Sequence, residues 1–365
     1  MSTYCSIPPR WKPLPDPQRP DFPYQAGLDL SIRRHVPPVP FGRPYEKGSE
    51  RQIAPRKDIE SVPQSEWCLS NPPTSTADHP DPTPHSLCIV DGVACEDGRG
   101  AQVVKCRLDG DETRVYVGKI FDPFYYSHID RDMEIAVDVA WEADKDYSRE
   151  AAAFEGLSRS KVDGIYAPEY YGSWTFQMLA PGAPQTTRPV RMILMEWIQG
   201  VSMWSLIKSR EVYRFPPQQR LDILAEAMEA LSRMDFYGVI HGDFAPRNLI
   251  LVGLGTSNVV SKVVLVDFGK SIVHRLPNFP YKLPRTHLPM NPEYRHWGPC
   301  SAEFSSWIPE PHRSRPAAFK GWLKAQWGTS PDFASRDEDM SRHSDDDESV
   351  EMVSPAEDKE PEDDA

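Results

Sequence analysis

No apolar run in the 365-residue chain approaches the ~18 residues that a membrane-crossing helix needs, and the first residues, "MSTYCSIPPRWKP", lack the apolar core of a secretory signal. Cysteine is sparse and unpatterned. Cys5, Cys68, Cys88, Cys95, Cys106 and Cys300 form no C-x-x-C pair and no zinc spacing, as expected of free thiols in a reducing compartment. No Asn-x-Ser/Thr acceptor occurs, and no basic stripe is interleaved with aromatics. These absences argue for an intracellular protein, cytoplasmic or nuclear, with neither a membrane nor a nucleic acid as partner.

What is abundant is concentrated at the two ends. Residues 1–84 hold 18 of the 38 prolines, roughly four times the ~5% base rate. Proline removes backbone donors and favours extended chain, so this stretch is expected to be a disordered leader. Residues 336–365 carry 14 Asp+Glu against 3 Lys+Arg, a net of −11, which leaves −2 of the chain's −13 for everything else. The acidic balance therefore belongs to the tail and says nothing about ligands of the folded part. Residues 329–365 are expected to stay solvated by self-repulsion, with Ser344 before "DDDE" a candidate acid-directed phosphorylation site.

Between the ends the periodicities sharpen. "AQVVKCRL" (101–108) and "TRVYVGKIF" (113–121) alternate and are β-branched, with "DGDE" between them as a hairpin turn. "SLCIVDGVA" reads as a strand before them, and "CEDGRGAQ" as a glycine-bearing loop. "DYSREAAAFEGLSRS" (146–160) places Ala151, Phe154 and Leu157 on one helix face, and strand character returns at 172–179 and 191–198. "PPQQRLDILAEAMEALSRMDFYG" then sets Leu221, Leu224, Ala225, Met228 and Leu231 on one helix face that ends at Gly238. The tryptophans that follow, Trp297, Trp307, Trp322 and Trp327, are expected in a core.

Directly after that helix, "VIHGDFAPRNLILVG" crowds His241, Asp243, Arg247 and Asn248 between two apolar runs, and "SKVVLVDFGKS" supplies Asp267 at a strand end. Phosphoryl transfer needs a carboxylate to orient the attacking hydroxyl, oxygen ligands for a hard divalent cation and a cation on the non-transferred phosphates. Asp243 suits the first role, Asn248 and Asp267 the second, and Lys119, from the β-rich half, the third. His241 is expected to brace the loop rather than move protons. The bland alternative is a capped polar turn whose side chains merely satisfy backbone groups.

"HGDFAPRNLIL" resembles the H-x-D-x-x-x-x-N catalytic loop of the protein kinase-like superfamily, "LVDFG" its magnesium-binding Asp-Phe-Gly, and "YVGKIF" its strand lysine. The whole of 85–328 resembles the kinase-like domains of filamentous fungi, near the aminoglycoside and choline phosphotransferases. The resemblance implies an α+β, two-lobed kinase-like fold. An antiparallel sheet with one helix forms the N-lobe over 85–198, and a shortened, mainly helical C-lobe covers 199–328. It implies ATP and Mg²⁺ as cofactors, Asp243 as catalytic base, and Asn248 and Asp267 as metal ligands. Lys119 would bind the α/β-phosphates and pair with Glu150, or with Glu155 one turn on. Gly98 and Gly100 would form the phosphate loop, and Met195, Glu196 and Ile198 of "LMEWIQG" would meet the adenine. The implied activity is transfer of the γ-phosphate to a hydroxyl, a protein Ser/Thr being favoured. A nucleotide- or partner-binding module without turnover and a small-molecule kinase are the alternatives.

Departures accompany the likeness. The glycine loop lacks the regular G-x-G-x-x-G, and Glu96 and Asp97 add negative charge that must point away from any phosphate. Gly242 replaces the arginine that receives an activating phosphate, so no activation-loop phosphorylation is expected. No Ala-Pro-Glu follows "VDFGKS", and Arg247 before Asn248, though shared with tyrosine kinases, is assigned no role.

Overall fold

The alternation in "DLSIRR", with Leu30 and Ile32 facing inward, makes a strand inside the proline-rich leader, β1 (Asp29–Arg34). The computed structural model describes residues 11–45, 51–130, 132–254, 260–281, 283, 286–298 and 301–335, with 183–185 as backbone only. Two short helices follow β1 in the leader, α1 (Arg56–Ile59) and α2 (Gln64–Ser70), each entered from a proline. The expectation of a disordered leader is thus corrected. Its described prolines, Pro84 at the start of β2 aside, sit in the connections, while Tyr24, Ile32, Phe41, Tyr45, Ile59 and Trp67 are buried apolar anchors.

Five further strands complete a closed antiparallel barrel: β2 (Pro84–Ala94), β3 (Gln102–Leu108) and β4 (Tyr116–Phe121) before the long helix, and β7 (Tyr170–Ala180) and β8 (Ala183–Glu196) after it. Between β4 and that helix lies a small hairpin, β5 (Ile129–Asp130) and β6 (Ile135–Ala136). The barrel order is β1-β2-β3-β4-β8-β7, and β1 joins β2 to β7, so the leader strand leaves no open edge. One hydrophobic cluster takes a residue from every strand: Ile32, Leu87, Val104, Ile120, Met192 and Trp174.

Helix α3 (Val139–Arg159) begins seven residues earlier than its alanine-rich stretch suggests, because the Asp138 carboxylate accepts from the Trp141 N–H as an N-cap. Ala151, Phe154 and Leu157 are fully buried on its inner face, as the 3.6-residue period requires. Beyond the barrel come β9 (Gly200–Ser202), α4 (Met203–Lys208) and α5 (Pro217–Phe236), which buries Leu221, Leu224, Ala225, Met228 and Leu231. Gly238, at φ +102°, turns the chain into β10 (Val239–Ile240). β11 (Leu249–Val252) then pairs with β9 and with β12 (Lys262–Leu265), while β10 pairs with β13 (Ile272–Val273).

Helices α6 (Pro292–Arg295) and α7 (Pro316–Trp327) finish the chain's second half. A second cluster gathers Phe154 and Leu157 of α3, Met228 of α5, Leu249 of β11, Trp307 and Trp327. Trp322 packs against it, but Trp297 is 43% exposed with Lys320 over its ring, so the expectation of a core tryptophan fails there. Folded chain also extends past 328: Phe333 and Ala334 are buried, and the Ala334 N–H donates to the Pro289 carbonyl at 2.8 Å. The acidic segment 336–365, with Ser344, lies outside the described residues.

Candidate active site

Lys119 stands on β4 opposite Val103 of β3 and Ile193 of β8, in the middle of the barrel wall, where an ammonium could be tolerated only with partners. Two carboxylates provide them. The Lys119 Nζ donates to Glu150 Oε2 of α3 at 2.6 Å and to Asp267 Oδ1 at 2.7 Å. Residues 31 and 148 positions away in sequence therefore meet at one cation. Glu150 is fully buried, whereas Glu155 turns toward a different cavity beside Tyr170 and His35, which settles the pairing of Lys119 within α3.

Electrostatics follow from this geometry. Burial works against the Lys119 charge, but Glu150 and Asp267 overcome it and carry the ammonium's pKa above its ordinary value. Burial pushes the Glu150 carboxyl up to about 7, against the pull of Lys119. Asp267 goes the other way: the Lys119 charge draws it down to about 2. Asp267 itself adopts φ +67°, a left-handed conformation uncommon for a non-glycine residue. At Gly269 a Cβ would lie 3.7 Å from both Asp267 Oδ1 and Glu150 Oε2, in ordinary van der Waals contact with both carboxylates.

Asp243 and Asn248 belong to the turn between β10 and β11. Asn248 Nδ2 donates to the Asp243 carbonyl at 2.9 Å and to Asp243 Oδ2 at 3.0 Å, while Arg247 donates to Oδ1 at 2.7 Å. Lys270 Nζ stands 3.5 Å from the same Oδ1. Burial alone would raise the Asp243 pKa; the hydrogen bonds from Arg247 and Asn248 outweigh it and hold it below the ordinary carboxylate range.

His241 ties this turn to the Asp267 segment. The Asp243 N–H donates to His241 Nδ1 at 3.3 Å, so Nε2 carries the proton and donates to the Val266 carbonyl at 3.0 Å. Burial keeps the imidazole pKa low, and its ring packs edge-on against Phe268. The Val266 N–H in turn donates to the Asn248 carbonyl at 2.9 Å. These contacts match the bracing role expected of His241.

The remaining sequence candidates are spread over β8, the chain just past it and the β2–β3 loop. Met195 pairs with Val117, two residues along β4 from Lys119, and packs in the same cluster as Val117 and Ile193. Glu196 is held by a reciprocal pair with Glu169, its N–H donating to the Glu169 carbonyl while its Oε2 accepts from the Glu169 N–H. Ile198 is buried where β8 leaves the barrel for β9. Gly98 and Gly100, at φ +77° and +113°, sit in the β2–β3 loop, which the Gln102 amide braces by donating to the Glu96 and Gly100 carbonyls. Asp97 is paired with Arg19 of the leader, which removes one of the two charges that the loop sequence would aim at a phosphate.

The sequence gives Arg247 no assigned role and does not single out Lys270 or Glu303. Arg247 spans Asp243, four residues before it, and Glu303, 56 residues on, with one guanidinium. For Lys270 the sole signal was adjacency to the Asp-Phe-Gly stretch. As a cation site, the described residues hold no group of three His, Cys, Asp or Glu side chains. The pair Asp267 and Asn248 offers hard oxygen donors, which fit a magnesium ion that keeps most of its shell in water and phosphate.

Part of the chain is similar to protein kinases. A stretch of 94 residues, 26% of the chain, is 29% identical to the dual specificity protein kinase zakA of Dictyostelium discoideum. Another match, 87 residues and 24% of the chain, is 29% identical to the serine/threonine-protein kinase PknB of Mycobacterium leprae (strain TN). The chain spans only 11% and 13% of the length of these two relatives. The crystal structure of the Mycobacterium tuberculosis PknI kinase domain aligns with 50% of this chain and 59% of its own, at a TM-score of 0.32 and 17% identity. No family model matches.

Proposed function

We propose that this chain is an ATP- and magnesium-dependent phosphotransferase with a two-lobed, kinase-like architecture, which moves the γ-phosphate to a hydroxyl, most readily of a protein Ser or Thr. The observation that carries the reading is the meeting of Lys119 with Glu150 and Asp267, because a buried lysine held between two carboxylates is poised to exchange one of them for phosphate oxygens. Asp267 and Asn248 would hold the metal, which, when bound, neutralises charge on the phosphates. Asp243, ionised and oriented by Arg247 and Asn248, would accept the acceptor's proton. Gly98, Gly100, Met195, Glu196 and Ile198 would enclose the nucleotide.

Asp243→Asn tests the assignment. Transfer of labelled phosphate is expected to fall by a factor on the order of 10²–10⁴, with nucleotide binding retained. Unimpaired transfer would remove Asp243 from the role. ATP binding is tested separately by thermal melting: magnesium and ATP at ~100 times the dissociation constant should stabilise the protein by roughly 2.7 kcal/mol. A binding module without turnover is the second reading, favoured by the irregular, internally braced loop around Gly98 and Gly100. It predicts the melting shift without any transfer.

A further inference from the structure

The leader does more than close the barrel; it grips the outer side of α3. Trp141, Asp144, Tyr147 and Arg149 all meet leader residues, while Glu150 turns to Lys119. Asp138, the helix N-cap, accepts from Trp67 Nε1 at 2.9 Å and from the Ala54 N–H at 3.2 Å. One turn on, Trp141 Nε1 donates to the Arg51 carbonyl at 3.0 Å. Asp144 Oδ2 receives the Thr74 N–H and hydroxyl, both at 2.8 Å, and Arg51 at 3.1 Å. The same guanidinium donates to the Ala140 and Asn71 carbonyls at 3.3 and 2.9 Å.

Further along, His35 links Tyr147 to Thr76: its Nδ1 is 2.7 Å from the Tyr147 hydroxyl and its Nε2 3.1 Å from the Thr76 hydroxyl. Arg149, next to Glu150, donates to the Phe41 carbonyl at 2.9 Å and to the Arg43 carbonyl. Then the leader crosses to the segment after Asp267. The Tyr45 hydroxyl accepts from the Val273 N–H at 2.8 Å, and the Pro40 carbonyl accepts from Asn278 at 2.7 Å.

We propose that leader residues 35–45 and 51–76 are a built-in clamp that fixes the register of α3, with Arg51 and Asp144 as positioning residues that hold Glu150 against Lys119. The clamp grips about three successive turns of the helix, from Asp138 to Arg149, and reaches β13, so both carboxylate-bearing segments around Lys119 are tied to one strap. A helix whose outer side is held by chain from the same molecule keeps Glu150 in place without a second protein. The proposal rests on the phosphotransferase reading for its consequence in catalysis, but not for its geometry.

The test uses the full chain with Arg51→Met, and Asp144→Asn as a second variant that keeps the side-chain shape should the first fail to fold. Without nucleotide, amide hydrogen exchange over 139–159 is expected to rise about tenfold, and Lys119 to become modifiable by an amine-acylating reagent. Unchanged exchange and unchanged Lys119 labelling in both variants would overturn the clamp, whatever the protein does with ATP. With magnesium and ATP, Arg51→Met should shrink the nucleotide-induced melting shift in the parent but not in a Glu150→Gln background. Equal losses in the two backgrounds would mean that Arg51 serves stability alone and would also overturn the proposal. Absence of any ATP shift in the parent would count against the phosphotransferase reading, leaving the exchange and labelling result to decide the clamp.

Discussion

At the scale of single residues, the lysine at 119 dictates the protonation of its neighbours. Asp267 has a folded-state pKa of about 2, below the ordinary carboxylate value near 3.9, because the Lys119 charge sits beside it. A depressed acid stabilises the fold above its unfolded pKa and loses that contribution as pH falls through the folded one. The stability difference between the parent and Asp267→Asn should therefore be full above about pH 4 and shrink as the pH drops toward 2. Urea titrations at a series of pH values check this. In a Lys119→Met background the low-pH dependence should move up toward the ordinary carboxylate range, and a difference that stays flat with pH in the parent would refute the assigned cause. Gly242 makes a second residue-scale case. It has φ +74°, and a Cβ there would lie 2.3 Å from the Lys270 carbonyl oxygen, so neither the arginine of protein kinases nor even alanine fits without moving backbone. Gly242→Ala should cost about 1–3 kcal/mol, read as a lower urea midpoint at unchanged slope, and should also loosen Lys270 from Asp243.

At the scale of elements, legibility tracked how local the determining interactions are. The hairpin of β3 and β4 and the buried face of α5 carry their period in consecutive residues, and the structure places them within a few residues of the expected limits. The start of α3 was legible only through its cap, a single Asp138. Strand β1 is obscured because proline density dominates the reading, although Leu30 and Ile32 alternate inside it; its pairing partners lie 51 or more residues away. Motif order puts Lys119, Asp243, Asn248 and Asp267 forward as a set and names Glu150 ahead of Glu155, a choice that the helix's rotation about its axis decides. Ile32 tests the corrected leader. It is wholly buried in the barrel, so Ile32→Ala should cost about 2–5 kcal/mol, whereas Ile53→Ala, at a side chain 62% exposed, should change stability by less than about 0.5 kcal/mol. A denaturant series comparing the two would show equal, negligible effects if the leader were a mere linker.

Over the whole molecule, charge and packing divide the C-terminal region at a different residue from the one that composition suggests. Composition begins to change at 329, yet Phe333 is buried against the second cluster with the Arg233 guanidinium 5.1 Å from its ring centre, and Ala334 is anchored to Pro289. The run of 14 acidic residues starts only after that anchor. Two truncations separated by seven residues resolve the boundary. Ending the chain at 335 removes net charge −11 from a self-repelling acidic segment, so the melting temperature at moderate salt should be close to the parent's while the isoelectric point rises. Ending it at 328 also removes the Phe333 ring from its site, a loss comparable to a buried Phe→Ala change of about 3–5 kcal/mol, and should lower the melting temperature by several degrees. Restoring residues 329–335 with Phe333→Ala should recover little of that loss. If the two truncations melt together, the seven residues contribute nothing to the core, and the folded region ends where composition first placed it.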